Sequence, residues 1–175
     1  VDALNSGISM IHQELNPEPH LTVAESIFLK RENTKGIFLD KKAQNKRCQE
    51  ILDQFNVPYT ATTKMKELTL AQVQMVEIIK AVSCDSRLII MDEPTSSLDD
   101  DEVEKLFVLM NRLKAQGVGI IFVTHFLEQV YAVCDRITVL RNGELVGEYT
   151  TKDLPRVMLV AKMMGKDFDD LADIK

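Results

Sequence analysis

The sequence lacks several features that would assign it to a membrane, secreted or metal-binding class. It contains no apolar run near the roughly 18 residues that span a bilayer, and no secretory signal opens it. Its three cysteines (Cys48, Cys84 and Cys134) lie far apart without paired spacing, which argues against a zinc site or a disulfide framework. Each lies on or beside an apolar stripe, so we interpret them as buried small hydrophobes in a reducing cytoplasm.

A concentrated basic face is also missing. The net charge is −6, and nucleic-acid binding needs basic residues gathered on one surface. Lys41, Lys42, Lys46 and Arg47 lie on one predicted helix and are interpreted as a solvated face. Of the 175 residues, 45% are hydrophobic and 27% are charged, which is typical of a globular chain of about one domain. We therefore predict no nucleic-acid partner.

The first half of the chain has mostly helical patterns. A short apolar strand is predicted over Ile8–Ile11. Thr22 and Glu25 form a T-x-x-E capping box that starts a helix, and Asp40 opens a second helix. A third helix is predicted to begin near Ala71. Residues 15–85 are accordingly expected to form a helical region.

The second half carries the pattern of a parallel sheet. Apolar runs over residues 88–91 and 120–123 flank an amphipathic helix that Gly117 stops. This βαβ order predicts an α/β fold whose sheet is covered on both faces. After a further helix, the Asn142-Gly143 pair predicts a β-hairpin, and a final helix is expected from about Pro155.

Two adjacent carboxylates follow the first apolar run. In open parallel sheets, ligands bind beyond the carboxyl ends of the strands. Asp92 there can hold a metal ion, directly or through water, and Glu93 can polarise an attacking water. By itself this pattern is weak, because apolar runs followed by Asp-Glu also occur by chance or cap a helix.

His125 follows the next apolar run, so it is expected at the same edge of the sheet. Its imidazole can hydrogen-bond the γ-phosphate region and position a water. The alternative is a histidine that caps the following helix, which would be favoured without Asp92 and Glu93. Ser97 and Asp99 follow the carboxylate pair, and Asp99 or Asp100 is expected to cap the next helix.

Together these residues resemble the conserved motifs of ABC ATPases. Residues 92–95, residues 97–99 and His125 are similar to the Walker B motif, the D-loop and the H-loop, including the 32-residue step from Glu93 to His125. Gln13 resembles the Q-loop glutamine, which contacts Mg²⁺ and reaches toward the membrane subunit. Residues 68–72 stand where the Leu-Ser-Gly-Gly-Gln signature belongs, ending 20 residues before Asp92.

The resemblance implies a P-loop NTPase (ABC ATPase) core with a helical subdomain. It divides the chain into a core strand and Q-loop (1–14), a helical subdomain with the signature (15–85), a core with the other motifs and the hairpin (86–150), and a C-terminal helix and tail (151–175). It implies catalytic roles for Glu93, His125 and Gln13, and metal binding by Asp92 and Gln13. The nucleotide contacts that it implies are Leu68, Thr69, Leu70, Ala71, Gln72, Ser97 and Asp99.

Two features depart from that family pattern. No G-x-x-x-x-G-K-[ST] motif occurs, so we expect the phosphate-binding loop to precede Val1 and the chain to be an inactive fragment, truncated at its N-terminus. In the signature, Thr69 keeps a hydroxyl, but Leu70 and Ala71 replace glycines. A leucine side chain should obstruct the close approach of the backbone to phosphate.

The altered signature narrows the resemblance. Residues 69–78, together with 12–15 and 124–131, resemble the first ATPase half of tandem monosaccharide-importer subunits. Residues 124–131 with 153–155 resemble the galactofuranose type more than the ribose, galactose and xylose relatives. The resemblance implies ATP and Mg²⁺ as cofactors. It also implies permease subunits, a second ATPase domain and, indirectly, a sugar-binding protein as partners, at the cytoplasmic face of the inner membrane.

Two other classes of function stay open. One is a soluble ABC protein of translation or DNA repair, although such proteins usually carry basic insertions or coiled-coil arms. The other is a non-catalytic interaction module, which is the expectation for these 175 residues taken by themselves. Without the strand of the phosphate-binding loop, we expect unpaired sheet edges, exposed apolar surface, and self-association or a rearranged core.

Overall fold

A computed structural model describes residues 6–12, 17–32, 34–35, 38–84 and 86–165. The chain divides into two compact units, Val1–Val123 and Thr124–Lys175. The elements of the first unit are, in chain order, β1 (Ile8–Ile11), α1 (Val23–Ile27), β2 (Thr34–Lys35), β3 (Phe38–Leu39), α2 (Lys41–Phe55), a 3₁₀ turn (Met65–Glu67), α3 (Leu70–Val82), β4 (Leu88–Asp92), α4 (Asp100–Ala115) and β5 (Gly119–Val123). The predicted division into four segments stays a prediction.

The first unit is built on a three-stranded parallel sheet. Its strand order is β1-β4-β5, so β4 lies in the middle and pairs with both neighbours. In this register Ile90 lies opposite Met10 on one side and Ile121 on the other. The predicted βαβ unit is confirmed, because α4 connects the parallel strands β4 and β5. The α/β fold class is therefore confirmed.

Local caps delimit the helices where the sequence indicated. Thr22 and Glu25 form the predicted capping box: the Glu25 amide donates to Thr22 Oγ1 at 3.2 Å, and the Thr22 amide donates to Glu25 Oε2 at 3.0 Å. Two donors lower the pKa of the Glu25 carboxyl: the Thr22 amide has the larger effect, and the Lys41 ammonium has the next largest. Asp40 caps α2, since its side chain accepts from the Ala43 amide at 2.9 Å.

One small element was not predicted. Strands β2 and β3 form an antiparallel pair in which Thr34 lies opposite Leu39 and Lys35 opposite Phe38. Each strand has two residues, too few to show the alternation that identifies a strand in sequence.

The helices of the first unit enclose a core. Its buried members come from α1, α2, α3 and the connecting loops, among them Val23, Ile27, Leu52 and Val76. Cys48 belongs to this core, and burial raises the pKa of its thiol to about 12, as expected for an inert buried cysteine. Cys84 and Cys134 are only half-buried.

The expectation that the sheet is covered on both faces is wrong for the described residues. Ile89 and Met91 of β4 are buried, and Phe107 of α4 packs edge-on against Phe122 of β5. Successive side chains point to opposite faces of a strand. The other face carries three large apolar side chains that are about half exposed: Met10, Ile121 and Val123. Helices α3 and α4 pack on β1 and β5 respectively.

The second unit contains α5 (Leu127–Val133), β6 (Arg136–Arg141), β7 (Glu144–Thr150) and α6 (Arg156–Met164). Strands β6 and β7 form the predicted hairpin, and Asn142 and Gly143 at its turn have φ values of 52° and 82°. A small core includes Ile137, Val139 and Leu159. No helix among the described residues is both long and apolar enough to cross a membrane.

The half-exposed sheet face predicts self-association of the purified chain. Burying Met10, Ile121 and Val123 between copies removes apolar area from water. We expect Ile121→Lys to shift the chain toward monomer, measured by sedimentation velocity over a range of concentrations. Val157→Lys, at a similarly exposed position on α6, is the control and should change little. A wild-type chain that stays a monodisperse monomer would contradict the prediction.

Candidate functional site

The candidate site begins at the end of β4. This strand is anchored by the buried side chains of Ile89 and Met91, and its last residue, Asp92, lies opposite Val123 of β5. The Asp92 side chain is half-buried. The Glu93 amide then donates to the Val123 carbonyl at 2.9 Å, so the backbone remains attached to β5 for one more residue. The two carboxylates therefore follow each other at the carboxyl end of the central strand.

Glu93 has an uncommon backbone conformation. Its φ of 46° is in the left-handed region, which costs a residue other than glycine roughly 1–2 kcal/mol. The turn that follows is held by the Ser96 amide, which donates to the Glu93 carbonyl at 3.3 Å, and by the buried Pro94 and Thr95. This geometry ends the strand abruptly and sets the direction of the Glu93 side chain.

Asp99 has the structural role that the sequence indicated. It is the N-cap of α4: Asp99 Oδ1 accepts from the Glu102 amide at 2.8 Å, and Glu102 Oε2 accepts from the Asp99 amide at 3.1 Å. Asp100, Asp101 and Glu102 occupy the first turn, where negative charge is favourable to the helix dipole. Ser97 precedes this cap and is half-buried.

The predicted signature residues lie at the start of α3, and here too a capping box is present. Thr69 is the N-cap: its Oγ1 accepts from the Gln72 amide at 3.2 Å, while Gln72 Oε1 accepts from the Thr69 amide at 3.0 Å. Leu68 packs against the core of the helical region. Leu70 is the first helical residue and is 62% exposed, whereas Ala71 is half-buried. The T-x-x-Q pattern could have predicted this box.

His125 lies two residues after β5 and belongs to the second unit. The alternative that it caps the next helix is wrong, because the N-cap of α5 is Phe126 and that cap has no side-chain hydrogen bond. The Phe126 amide donates instead to Thr124 Oγ1 at 3.1 Å. The exposed His125 ring lies 4.1 Å from the Phe126 ring, centroid to centroid.

Gln13 lies outside the described residues, so its predicted place after β1 stays a prediction. Of the remaining site residues, the structure brings together Asp92 and Glu93 on one strand end, and it places Leu68, Thr69, Leu70, Ala71 and Gln72 around the start of α3. The parallel register also aligns Asp92 with the end of β5, from which the chain continues to His125.

The carboxylates suit a hard cation that is held jointly with a ligand. Among the described residues, no group of at least three His, Cys, Asp or Glu side chains could hold a metal ion. Mg²⁺ in nucleotide sites is typically held by one or two carboxylates together with phosphates and water. A half-buried Asp92 at the strand end fits that arrangement.

A separate cavity of about 340 Å³ lies beside α4. Its walls come from the end of α2, from α3 and from α4, and they include Phe55, Met75, Glu104 and Arg112. None of the predicted site residues lines it. The sequence contained no motif that indicated this cavity.

Comparison with known proteins identifies the family. The family model described as ABC transporter matches residues 1–96, which is more than half of the chain. A protein of Halalkalibacterium halodurans named for ribose, galactose and methyl galactoside import is 44% identical over 174 residues, 98% of this chain. The galactose/methyl galactoside import ATP-binding protein of Photobacterium profundum is 42% identical over 172 residues, 97% of this chain.

A solved structure supports the same assignment. An ATP-binding cassette, determined as a dimer in a post-hydrolysis state with ADP and Pi bound, superposes with a TM-score of 0.70 at 27% identity. The superposition covers 82% of this chain and 62% of that one.

The chain belongs to the ABC transporter family, and its fold is that of the ATP-binding cassettes. It spans about a third of the length of the curated relatives that it matches, 33% and 35% in the two cases above. The predicted family is thus confirmed, and relatives named for monosaccharide import agree with the predicted type. The galactofuranose relationship and the position in a tandem subunit stay predictions.

The Asp99 cap predicts a charge-independent contribution to stability. Replacing an N-cap aspartate by alanine typically costs about 1 kcal/mol, because the helix loses a hydrogen-bond acceptor for its free amides. We expect Asp99→Ala to lower the free energy of unfolding by that amount, measured by urea denaturation. Asp99→Asn, which keeps the acceptor but removes the charge, should stay near wild type. Equal losses in both variants would assign the effect to the charge.

Proposed function

We propose that this chain is part of the ATP-binding subunit of an ABC importer for a monosaccharide, in which binding and hydrolysis of ATP drive transport. The observation that carries the proposal is the buried strand β4, which ends in Asp92 and Glu93 at the carboxyl edge of a parallel sheet. The identity of 44% to a protein named for ribose, galactose and methyl galactoside import supports the substrate class. The resemblance of residues 124–131 and 153–155 leads us to propose galactofuranose as the transported monosaccharide.

Asp92 and Gln13 are the residues that would hold Mg²⁺ in this subunit. When bound, Mg²⁺ would offset the negative charge of the phosphates of ATP. Asp92 is suited to this role because β4 is anchored in the core by Ile89 and Met91, so the backbone that carries its carboxylate is fixed relative to the sheet. A ligand on a rigid element is positioned more precisely than one on a loop.

Glu93 is proposed as the general base. Its carboxylate would accept the proton of the water that attacks the γ-phosphate, while His125 and Gln13 orient that water and the phosphate. The left-handed backbone at Glu93 supports this role, because strained residues cluster at sites where chemistry demands a particular direction.

Leu68, Thr69, Leu70, Ala71 and Gln72, with Ser97 and Asp99, would face the ATP held by a second ATPase domain. The Thr69 hydroxyl accepts from the Gln72 amide and remains able to donate its own proton to a phosphate. Leu70 presents an exposed side chain at the first helical position. We infer that the two nucleotide sites of the parent subunit are unequal, and that the one facing Leu70 hydrolyses ATP poorly.

The proposed partners follow from this assignment. They are permease subunits, a second ATPase domain in tandem and, indirectly, a sugar-binding protein, with the subunit held peripherally at the cytoplasmic face of the membrane. A soluble role in translation or DNA repair is less well supported, because the relatives are named for import.

A second candidate applies to the 175 residues by themselves. They contain no G-x-x-x-x-G-K-[ST] motif, and the sheet exposes Met10, Ile121 and Val123. These observations favour a non-catalytic interaction module over an active ATPase for the isolated chain.

Titration calorimetry with Mg-ATP tests the nucleotide assignment. We expect no tight binding by the 175-residue chain, because backbone amides of a phosphate-binding loop supply much of the affinity. A version extended upstream to include such a loop should bind. Tight binding by the short chain would mean that its phosphate site lies elsewhere, and the roles given above would have to be reassigned.

Glu93→Gln in the full-length parent tests the base. Removing a general base typically slows a reaction about a hundredfold or more, so we expect steady-state ATP turnover to fall by at least that factor while ATP binding persists. Glu104→Gln, which changes an exposed acid on α4, is the control and should keep wild-type turnover. Near-normal turnover in Glu93→Gln would remove Glu93 from the mechanism.

A further inference from the structure

Two exposed apolar residues and three exposed lysines lie close together in the sequence around the start of α2. Phe38 and Leu39 of β3 are 73% and 55% exposed. Lys41 and Lys42 follow them at the start of α2, and Lys46 lies one turn after Lys42 on the same side of the helix. We refer to Phe38, Leu39, Lys41, Lys42 and Lys46 as the hairpin patch.

The two lysines at the start of α2 do not stabilise that helix. Positive charge is unfavourable in the first turn, where the helix dipole is itself positive, and no acidic residue occupies that turn. Lys41 makes a 3.0 Å ion pair with Glu25, and Lys46 lies 3.9 Å from Glu50. The Lys41 and Lys46 side chains are 69% and 80% exposed, so these ion pairs contribute little to the stability of the fold. The lysines therefore concentrate positive charge at a solvent-facing helix end.

The charge around the hairpin patch is opposite to that of the chain as a whole. Residues 25–50 contain seven basic and four acidic residues, a balance of +3, although the chain carries −6. Two arginines of this segment make contacts within the chain. Arg31 donates to the Ser83 and Ile27 carbonyls, and Arg47 lies over the Phe28 ring. The lysines of the patch are exposed.

We propose that the hairpin patch binds an anionic lipid surface. Phe38 and Leu39 enter the boundary between headgroups and acyl chains, and the lysines contact the lipid phosphates while their alkyl stems lie along the apolar layer. The pairing of an exposed aromatic residue with flexible lysines favours lipid over a protein partner. Aromatic residues are enriched at both kinds of surface, but lysine is depleted at protein interfaces.

This inference deepens the proposed function, which puts the subunit beside a membrane, but it does not depend on the nucleotide chemistry. A lipid contact by the helical region would fix the height and tilt of the subunit relative to the bilayer. Binding to protein-free vesicles requires neither ATP nor a permease. A negative result with vesicles would therefore leave the transport assignment intact, and a failed ATPase assay would leave the vesicle result intact.

The test is co-sedimentation of the 175-residue chain with vesicles of equal parts phosphatidylcholine and phosphatidylglycerol, against vesicles of phosphatidylcholine alone. We expect binding to the anionic vesicles, weakened by added salt. Each lysine near an anionic surface is worth about a fivefold change in partition, so Lys42→Gln/Lys46→Gln should reduce binding roughly 25-fold. Phe38→Ser/Leu39→Ser should reduce it at least severalfold by removing the inserted groups.

Two matched controls separate the patch from general effects of charge and apolarity. Lys66→Gln/Lys152→Gln removes two exposed lysines elsewhere, and Leu145→Ser removes an exposed leucine from β7. Both should bind as wild type does, with far-ultraviolet circular dichroism showing that every variant is folded. Equal binding to neutral vesicles, or equal losses in patch and control variants, would overturn the proposal. Absence of binding to protein-free anionic vesicles would also overturn it and assign the patch to a protein partner.

Discussion

The burial of β4 between two parallel neighbours is the constraint on which the first unit depends. Because Ile89 and Met91 are fully buried, the strand cannot slip by one residue without turning these side chains toward solvent. That register fixes Asp92 opposite Val123 and places Glu93 one residue beyond the sheet. The position of the proposed chemistry is therefore set by the hydrophobic packing of the residues one and three positions before Asp92.

Much of the fold was predictable because its signals are local. The capping box of Thr22 and Glu25, the cap at Asp40 and the Asn142-Gly143 turn each depend on chemistry within four residues. Coverage of the sheet was not predictable in this way. An apolar strand in sequence shows that burial is favoured, but it does not show which face has a neighbour, and Ile121 and Val123 are half exposed.

The candidate site was predictable in its order and in part of its hydrogen bonding. The chemistry proposed for Asp92, Glu93 and His125 follows from their positions after apolar strands and from the family resemblance. In the structure β4 ends at Asp92 and β5 ends at Val123, as that order requires. The Asp99 cap was predicted, because an aspartate before a helical pattern is a local signal. The box of Thr69 and Gln72 was not predicted, although its T-x-x-Q spacing carries the same kind of signal. With both boxes formed, the two helix starts of the predicted site are stabilised before any ligand binds.

The left-handed backbone at Glu93 affects which substitutions selection for stability would favour at this position. Glycine or asparagine would adopt a φ of 46° more easily than glutamate, so the local conformation favours residues without the carboxylate. Laboratory evolution scored on thermal tolerance alone would drift away from glutamate here, and with it from the proposed base. Robustness and turnover are then opposing selective pressures at a single codon, and an engineer who raises one has to protect the other deliberately.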